Sequence, residues 1–207
     1  MKTLYLFLLL TFSLVSCVSK KYTQIKQLPK GIQSATEEIY ILENNQKKLL
    51  QKKSMNFTKN GRIKNSITTD SLGQMIQSTQ KKLWFTVQMY PDKENYYCKT
   101  RWKTNNRERI SCYTRKQFKQ NEAIYHYNPD GTIHKIVDHY PPFYSQYYQY
   151  TNQVLTTITV NDKNDNLIDD IIISCIKKDE KGCCIEEIST WTKTKLQQER
   201  HFLPTYD

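Results

Sequence analysis

Glycine is scarce in this sequence, 5 among 207 residues. None stands in a Gly-x-Ser-x-Gly nucleophile elbow or in a glycine-rich loop that cradles phosphates. Two widespread signatures of hydrolases and nucleotide-binding proteins are therefore missing. Apolar residues are also few, at 38%, against about 45–50% in an ordinary globular chain. That excludes a thick core and points to a thin one, such as a sheet covered on one face. Disorder does not follow, because aromatic and β-branched residues are plentiful, with 15 tyrosines alone. The one sustained apolar run, at the start, falls short of the roughly 20 residues that a membrane-crossing helix needs.

That start is unlike the rest. Met1 and Lys2 open it, residues 4–10 are almost wholly apolar, and Ser16 and Cys17 end it just ahead of Lys20 and Lys21. A charged beginning, a short apolar stretch and a small-residue end is the layout of a secretory signal. Leu14-Val15-Ser16-Cys17 resembles the lipobox of bacterial lipoproteins. The resemblance implies lipidation of the Cys17 thiol, cleavage just before it, and acylation of the new amino group. Two or three acyl chains make a stable anchor where one is marginal. In that family an Asp after the lipidated Cys favours retention in the inner membrane. Val18 stands there, so the outer membrane is favoured. The expected organisation is a signal over 1–16, a lipidated flexible tether over 17–33, and a folded domain over 34–207.

From about residue 36 onward one theme recurs. Runs rich in Ile, Val, Thr, Tyr and Phe alternate with turns of Asn, Asp and Gly, as at Lys59-Asn60-Gly61, Ser71-Leu72-Gly73, Asn128-Pro129-Asp130-Gly131 and Asp179-Glu180-Lys181-Gly182. Such turns between apolar runs mark hairpins, because their residues tolerate positive φ. The fold class expected is all-β, an antiparallel meander of consecutive hairpins, with curvature allowed. Residues 34–53 admit a helix with Ser34 and Glu37 as its capping box, but Asn44-Asn45 in the middle favours a hairpin. The pattern resembles YD/RHS-type β-hairpin repeats and the hairpin repeats of exported lipoproteins, best at Tyr127 to Ile133. The spacing is irregular, 12 residues from Gly61 to Gly73 but 35 from Gly131 to Asn166, so the likeness is one of style and carries no functional residues.

Five cysteines follow Cys17. Export would place them where disulfides form. Cys98 and Cys112 flank a turn at Asn105 symmetrically, which sets them face to face across a hairpin. Cys175 and Cys183 or Cys184 flank the Asp179-Glu180 turn in the same way; Cys175 with Cys184 is the pairing carried forward. Cys183 and Cys184 are neighbours on a strand and point to opposite faces, so they are poor co-ligands and no metal is expected. No cofactor is expected either.

The histidines, His126, His134, His139 and His201, do not gather. With Tyr127 opposite Thr132, Tyr125 faces His134 and His126 faces Ile133, which puts His126 and His134 on opposite faces. The stretch 140–150 is the most unusual: Tyr140, Phe143, Tyr144, Tyr147, Tyr148 and Tyr150, with Pro141-Pro142 and no charge. It reads either as a binding surface for a protein or glycan partner or as a cover over a thin core.

Lys and Arg number 31 against 20 Asp and Glu, a formal charge of +11. Loss of Lys2 with the signal leaves +10. In an exported chain such charge suits acidic membrane surfaces, anionic glycans or an acidic protein more than nucleic acid. The expectation is a non-enzymatic, lipid-anchored envelope protein that binds or supports, held to the membrane by its lipid, of unassigned oligomeric state. An immunity lipoprotein that neutralises an envelope-acting toxin and a hydrolase with an unrecognised site are the rivals.

Overall fold

The computed structural model describes residues 21–43, 46–93, 96–103 and 106–207. Cys17 and the signal-like start lie outside them. A one-turn helix, α1 (Tyr22–Ile25), precedes fourteen strands: β1 (Ile32–Glu43), β2 (Gln46–Phe57), β3 (Ile63–Asp70), β4 (Met75–Lys81), β5 (Thr86–Tyr90), β6 (Tyr96–Lys103), β7 (Arg107–Tyr113), β8 (Lys119–Tyr127), β9 (Ile133–Asp138), β10 (Ser145–Thr151), β11 (Val154–Asn161), β12 (Leu167–Lys178), β13 (Cys184–Trp191) and β14 (Gln197–Tyr206). Each pairs antiparallel with the next. β14 returns to β1, with Glu37 opposite Phe202, so the meander closes into a barrel. Closure removes both sheet edges.

Six turns share one construction. They begin at Thr58, Asp70, Thr114, Asn128, Asp162 and Asp179. In each, the first residue's N–H donates to the carbonyl four residues on, and the fourth residue's N–H donates back to the first carbonyl. The fourth position has positive φ: Gly61, Gly73, Gly131 and Gly182, with Gln117 and Asp165 in the other two. In five of them the side chain at the first position accepts the N–H four residues on, as Asp179 Oδ1 does from Cys183 at 2.8 Å. This is the three-residue hairpin loop with a left-handed residue at its end. The polar residues that marked the turns in the sequence are thus direct parts of their hydrogen bonding.

The turn at Asn128 shifts one expected register. Tyr127 lies opposite Ile133, His126 opposite Lys135, and Tyr125 opposite Ile136, with a bulge between the first two pairs. The five-residue turn takes up Thr132 and the bulge takes up His134. Residues 34–43 and 46–53 form strands.

The flexible tether expected over 17–33 needs correction from residue 21 onward. Residues 21–31 cross one open end of the barrel, and Ile32 and Gln33 already belong to β1. Thr23 N donates to Gly61 O at 3.1 Å, the Gln27 amide donates to the Gln153 carbonyl, and the Tyr22 ring lies 5.6 Å from that of Phe57. The main apolar cluster sits beneath this segment: Ile32, Ala35, Met55, Phe57, Cys183 and Phe202, with Tyr22 and Leu28 packed against it. A short polar segment is held here because it covers the barrel's apolar end.

The outer wall is mixed. Lys52, Ser54 and Asn56 on β2 and Asn65 on β3 are exposed. Leu50, Ile67, Ile172, Ile176 and Leu203 are exposed as well.

Candidate functional site

Strands β9 to β14 turn apolar side chains inward. The register puts Tyr148 opposite Ile158, Ile158 opposite Ile171 and Ile173 opposite Ser189. Tyr148, Ile158, Ile173 and Ser189, together with Ile133, Tyr150 and Leu155, line a cavity of about 480 Å³ inside the barrel. Ile25 and Leu28 of the N-terminal segment cover it, and the Cys175–Cys184 bridge is part of its wall. The tyrosine hydroxyls are already engaged: Tyr150 Oη donates to the Ile133 carbonyl at 3.0 Å, and Tyr148 Oη to Gln146 Oε1 at 3.1 Å. An occupant would therefore meet rings and aliphatic side chains alongside polar groups such as Gln27, Asn152, Gln153 and Ser189.

One end of the cavity is charged. Arg200 grips Glu187 with two bonds, Nε to Oε1 at 3.1 Å and Nη2 to Oε2 at 2.9 Å. Its Nη1 lies 3.6 Å from Glu37 Oε1. Burial lowers the guanidinium's pKa, but the Glu187 bonds and the Glu37 charge outweigh it and raise it. Lys53 lies opposite Glu37. Burial there lowers its pKa, partly offset by Glu37. Two cations and two carboxylates thus share this part of the interior, and the charge of Lys26 on the N-terminal segment also lowers the Lys53 pKa.

The far side of the lumen is aromatic. Tyr127 Oη donates to the buried Glu108 Oε2 at 2.7 Å, and the Trp102 and Tyr127 rings stack at 6.5 Å. Burial pushes Tyr125 up to about 12, with the Asp138 charge adding to it. Burial also raises the Asp138 carboxyl.

The aromatic stretch expected to act as one surface is divided. Tyr148 and Tyr150 face the cavity. Tyr147 is on the opposite face of β10, with Lys135 Nζ 5.8 Å from its ring. Tyr140, Phe143 and Tyr144 belong to the β9–β10 connection, where Phe143 is exposed. The alternation of a strand does this, since neighbours point to opposite faces.

Cys98 is bonded to Cys112 and Cys175 to Cys184. Cys183 is a buried free thiol, raised by burial and next by the Asp179 charge. Among the described residues, one group has the spacing of metal ligands: Glu186, Glu199 and His201, with ligand atoms within 4.8 Å of one another. It lies on the outer wall. Lys47 Nζ stands 2.6 Å from Glu199 Oε1 and 2.9 Å from His201 Nε2, so an ammonium occupies the place of a cation. His126 and Lys135 lie on neighbouring strands of the outer wall; burial lowers the His126 pKa, and the charges of Lys135 and Arg107 lower it further.

Sequence reasoning missed Arg200, Glu187, Leu155, Ile158 and Ile173. Each is an ordinary strand residue until the ring closes.

No protein-family model matches the chain, and no curated protein matches it. Solved structures similar to the chain over most of its length include three from bacteria. A porin-like protein from Bacteroides uniformis has a TM-score of 0.45 at 8% identity, over 86% of this chain and 98% of that one. A putative outer membrane lipoprotein-sorting protein domain from Vibrio parahaemolyticus has 0.34 at 6%, over 83% and 84%. A DUF1329 family protein from Desulfovibrio piger has 0.33 at 9%, over 85% and 86%.

Proposed function

We propose that this chain is a lipid-anchored, non-enzymatic binding module of the cell envelope, whose barrel encloses a small, uncharged, partly apolar molecule. The observation that carries the ligand class is the cavity of about 480 Å³, within the range of roughly 300–1,000 Å³ of small-molecule sites. Its lining mixes rings and aliphatic side chains with polar ones; Arg200 and Glu187 are paired with each other, and the exposed Lys26 and Lys178 border it. A ligand charge reaching Arg200 would compete with Glu187, whereas a neutral ligand need not. Leu14-Val15-Ser16-Cys17 supports the anchor, and Val18 supports the outer membrane over the inner.

The test is a titration of the protein with N-phenyl-1-naphthylamine, a neutral apolar dye whose fluorescence rises out of water. Saturable enhancement is expected. Ile158→Arg or Ile173→Glu, each placing a charge in the cavity, should abolish it while the thermal melt stays cooperative. No saturable signal, or one that both variants retain, overturns the ligand reading. Mass spectrometry of the mature N-terminus tests the anchor separately: an unmodified Cys17, or cleavage elsewhere, removes it.

A further inference from the structure

The two ends of the barrel differ in charge. The first end holds the N-terminal segment, the connections after β2, β4, β6, β8, β10 and β12, and the C-terminus. With three strand residues on each side, these are residues 21–34, 55–65, 79–88, 101–109, 125–135, 149–156, 176–186 and 204–207. They hold 16 Lys or Arg against 6 Asp or Glu. The same measure at the other end, over 41–48, 68–77, 88–98, 111–121, 136–147, 159–169 and 189–199, gives 9 and 9. Nearly the whole net charge of the chain therefore sits at the end from which its N-terminus leaves.

A second observation at that end is independent of charge. The β4–β5 connection reads Lys82-Leu83-Trp84-Phe85, and Leu83 and Trp84 are 81% and 56% exposed. Lys99 Nζ lies 5.8 Å from the Phe85 ring. Two adjacent large apolar residues at the tip of a hairpin, flanked by Lys81 and Lys82, combine the interfacial preference of Trp with lysines that reach headgroups.

The third observation is reach. Lys21 is already at the barrel's end, so three residues, Val18 to Lys20, separate it from Cys17. Fully extended, the four steps from Cys17 to Lys21 span at most about 14 Å, less than two screening lengths of roughly 8 Å at physiological salt.

We infer that the basic end of the barrel is a docking face for an anionic bilayer surface, with the Leu83–Trp84 tip entering the interface and the surrounding lysines contacting phosphate headgroups. This deepens the anchor reading and rests on it for orientation. The face itself does not need the lipid and can be tested without it.

The experiment uses the mature chain with Cys17→Ser, which cannot be lipidated but keeps every described residue. Sedimentation with phosphatidylcholine vesicles is compared with vesicles containing about one-third phosphatidylglycerol. The expected result is binding to the anionic vesicles alone, lost at about 1 M salt, where screening falls to roughly 3 Å. Tryptophan emission should shift to the blue on binding, and Trp84→Phe should remove that shift. Reversing exposed lysines of the basic end together (Lys59→Glu, Lys64→Glu, Lys82→Glu) should weaken binding on the order of a hundredfold. Reversing Lys48, Lys116 and Lys163 at the other end should not, and a far-ultraviolet spectrum and thermal melt verify that both variants fold. Equal binding to both vesicle types, equal effects of the two reversals, or binding to dextran sulfate that matches the vesicles and ignores Leu83→Asp with Trp84→Asp would each overturn the proposal. None of these results bears on whether Cys17 is lipidated in the cell.

Discussion

Thr23 donates its backbone N–H to the carbonyl of Gly61 at 3.1 Å, and a side chain at Gly61 would land inside that of Thr23. The segment that covers the barrel is pinned by this contact to the β2–β3 turn. Gly131 makes a looser second pin, where a Cβ would lie 3.2 Å from Gln24 Cβ.

Gly61→Ala should therefore do two things. The positive φ of 71° is strained for any other residue, at about 1–3 kcal/mol, and the new methyl should push Thr23 away. Limited proteolysis should then cut within residues 21–31 faster, while the barrel remains intact. A variant whose segment is as protected as the wild type would show that Gly61 does not pin it. Gly131→Ala should have the same effect, less strongly.

The Arg200–Glu187–Glu37 network makes a different prediction. Arg200 and Glu37 are well shielded, with 15% and 10% of their side chains exposed. Glu187→Leu would leave Arg200 with one distant partner in the interior. Removing one member of such a pair costs roughly 3–5 kcal/mol, which a urea unfolding curve would report as a lower midpoint at unchanged slope. Removing both members with Arg200→Met and Glu187→Leu should recover much of the loss.

The tyrosines predict alkaline behaviour. Burial raises Tyr125 to about 12 and also raises Tyr148, with the Tyr125 charge adding to it. The unfolded chain would release these protons near pH 10 while the folded barrel holds them. Stability from this source is complete below about pH 10 and is lost as pH rises toward 12. Absorbance at the tyrosinate band should show a fraction of tyrosines ionising only together with loss of the fold. Smooth ionisation of all of them near pH 10 in a folded protein would contradict the buried assignment.

Much of the fold was legible because turns and strands are local. Asp70, Asn128 and Asp179 announce their turns, and these same residues make the hydrogen bonds that close them. Closure was not legible. It joins Glu37 to Phe202, and nothing near either residue marks the other as its neighbour. The cavity was missed for the same reason: Tyr148, Ile173 and Arg200 are separated along the chain and meet only because six strands curve around one space. The aromatic stretch was visible, but the twofold alternation that divides Tyr147 from Tyr148 changes its meaning. The N-terminal segment looked like a loose tether because its polar composition gives no hint of the glycine turns that receive it.

The pairing of β1 with β14 also has a consequence in time. Every other strand bonds to the one just before it, so the sheet can grow in the order in which the chain arrives. The first strand alone must wait for the last. Until residues 197–206 are available, β1 and the growing end are both open edges, the kind that pair with other chains. Losing the final ten residues would therefore leave an unsealed ribbon with two sticky margins, and the seam, more than any strand within it, sets when this protein becomes safe to have in solution.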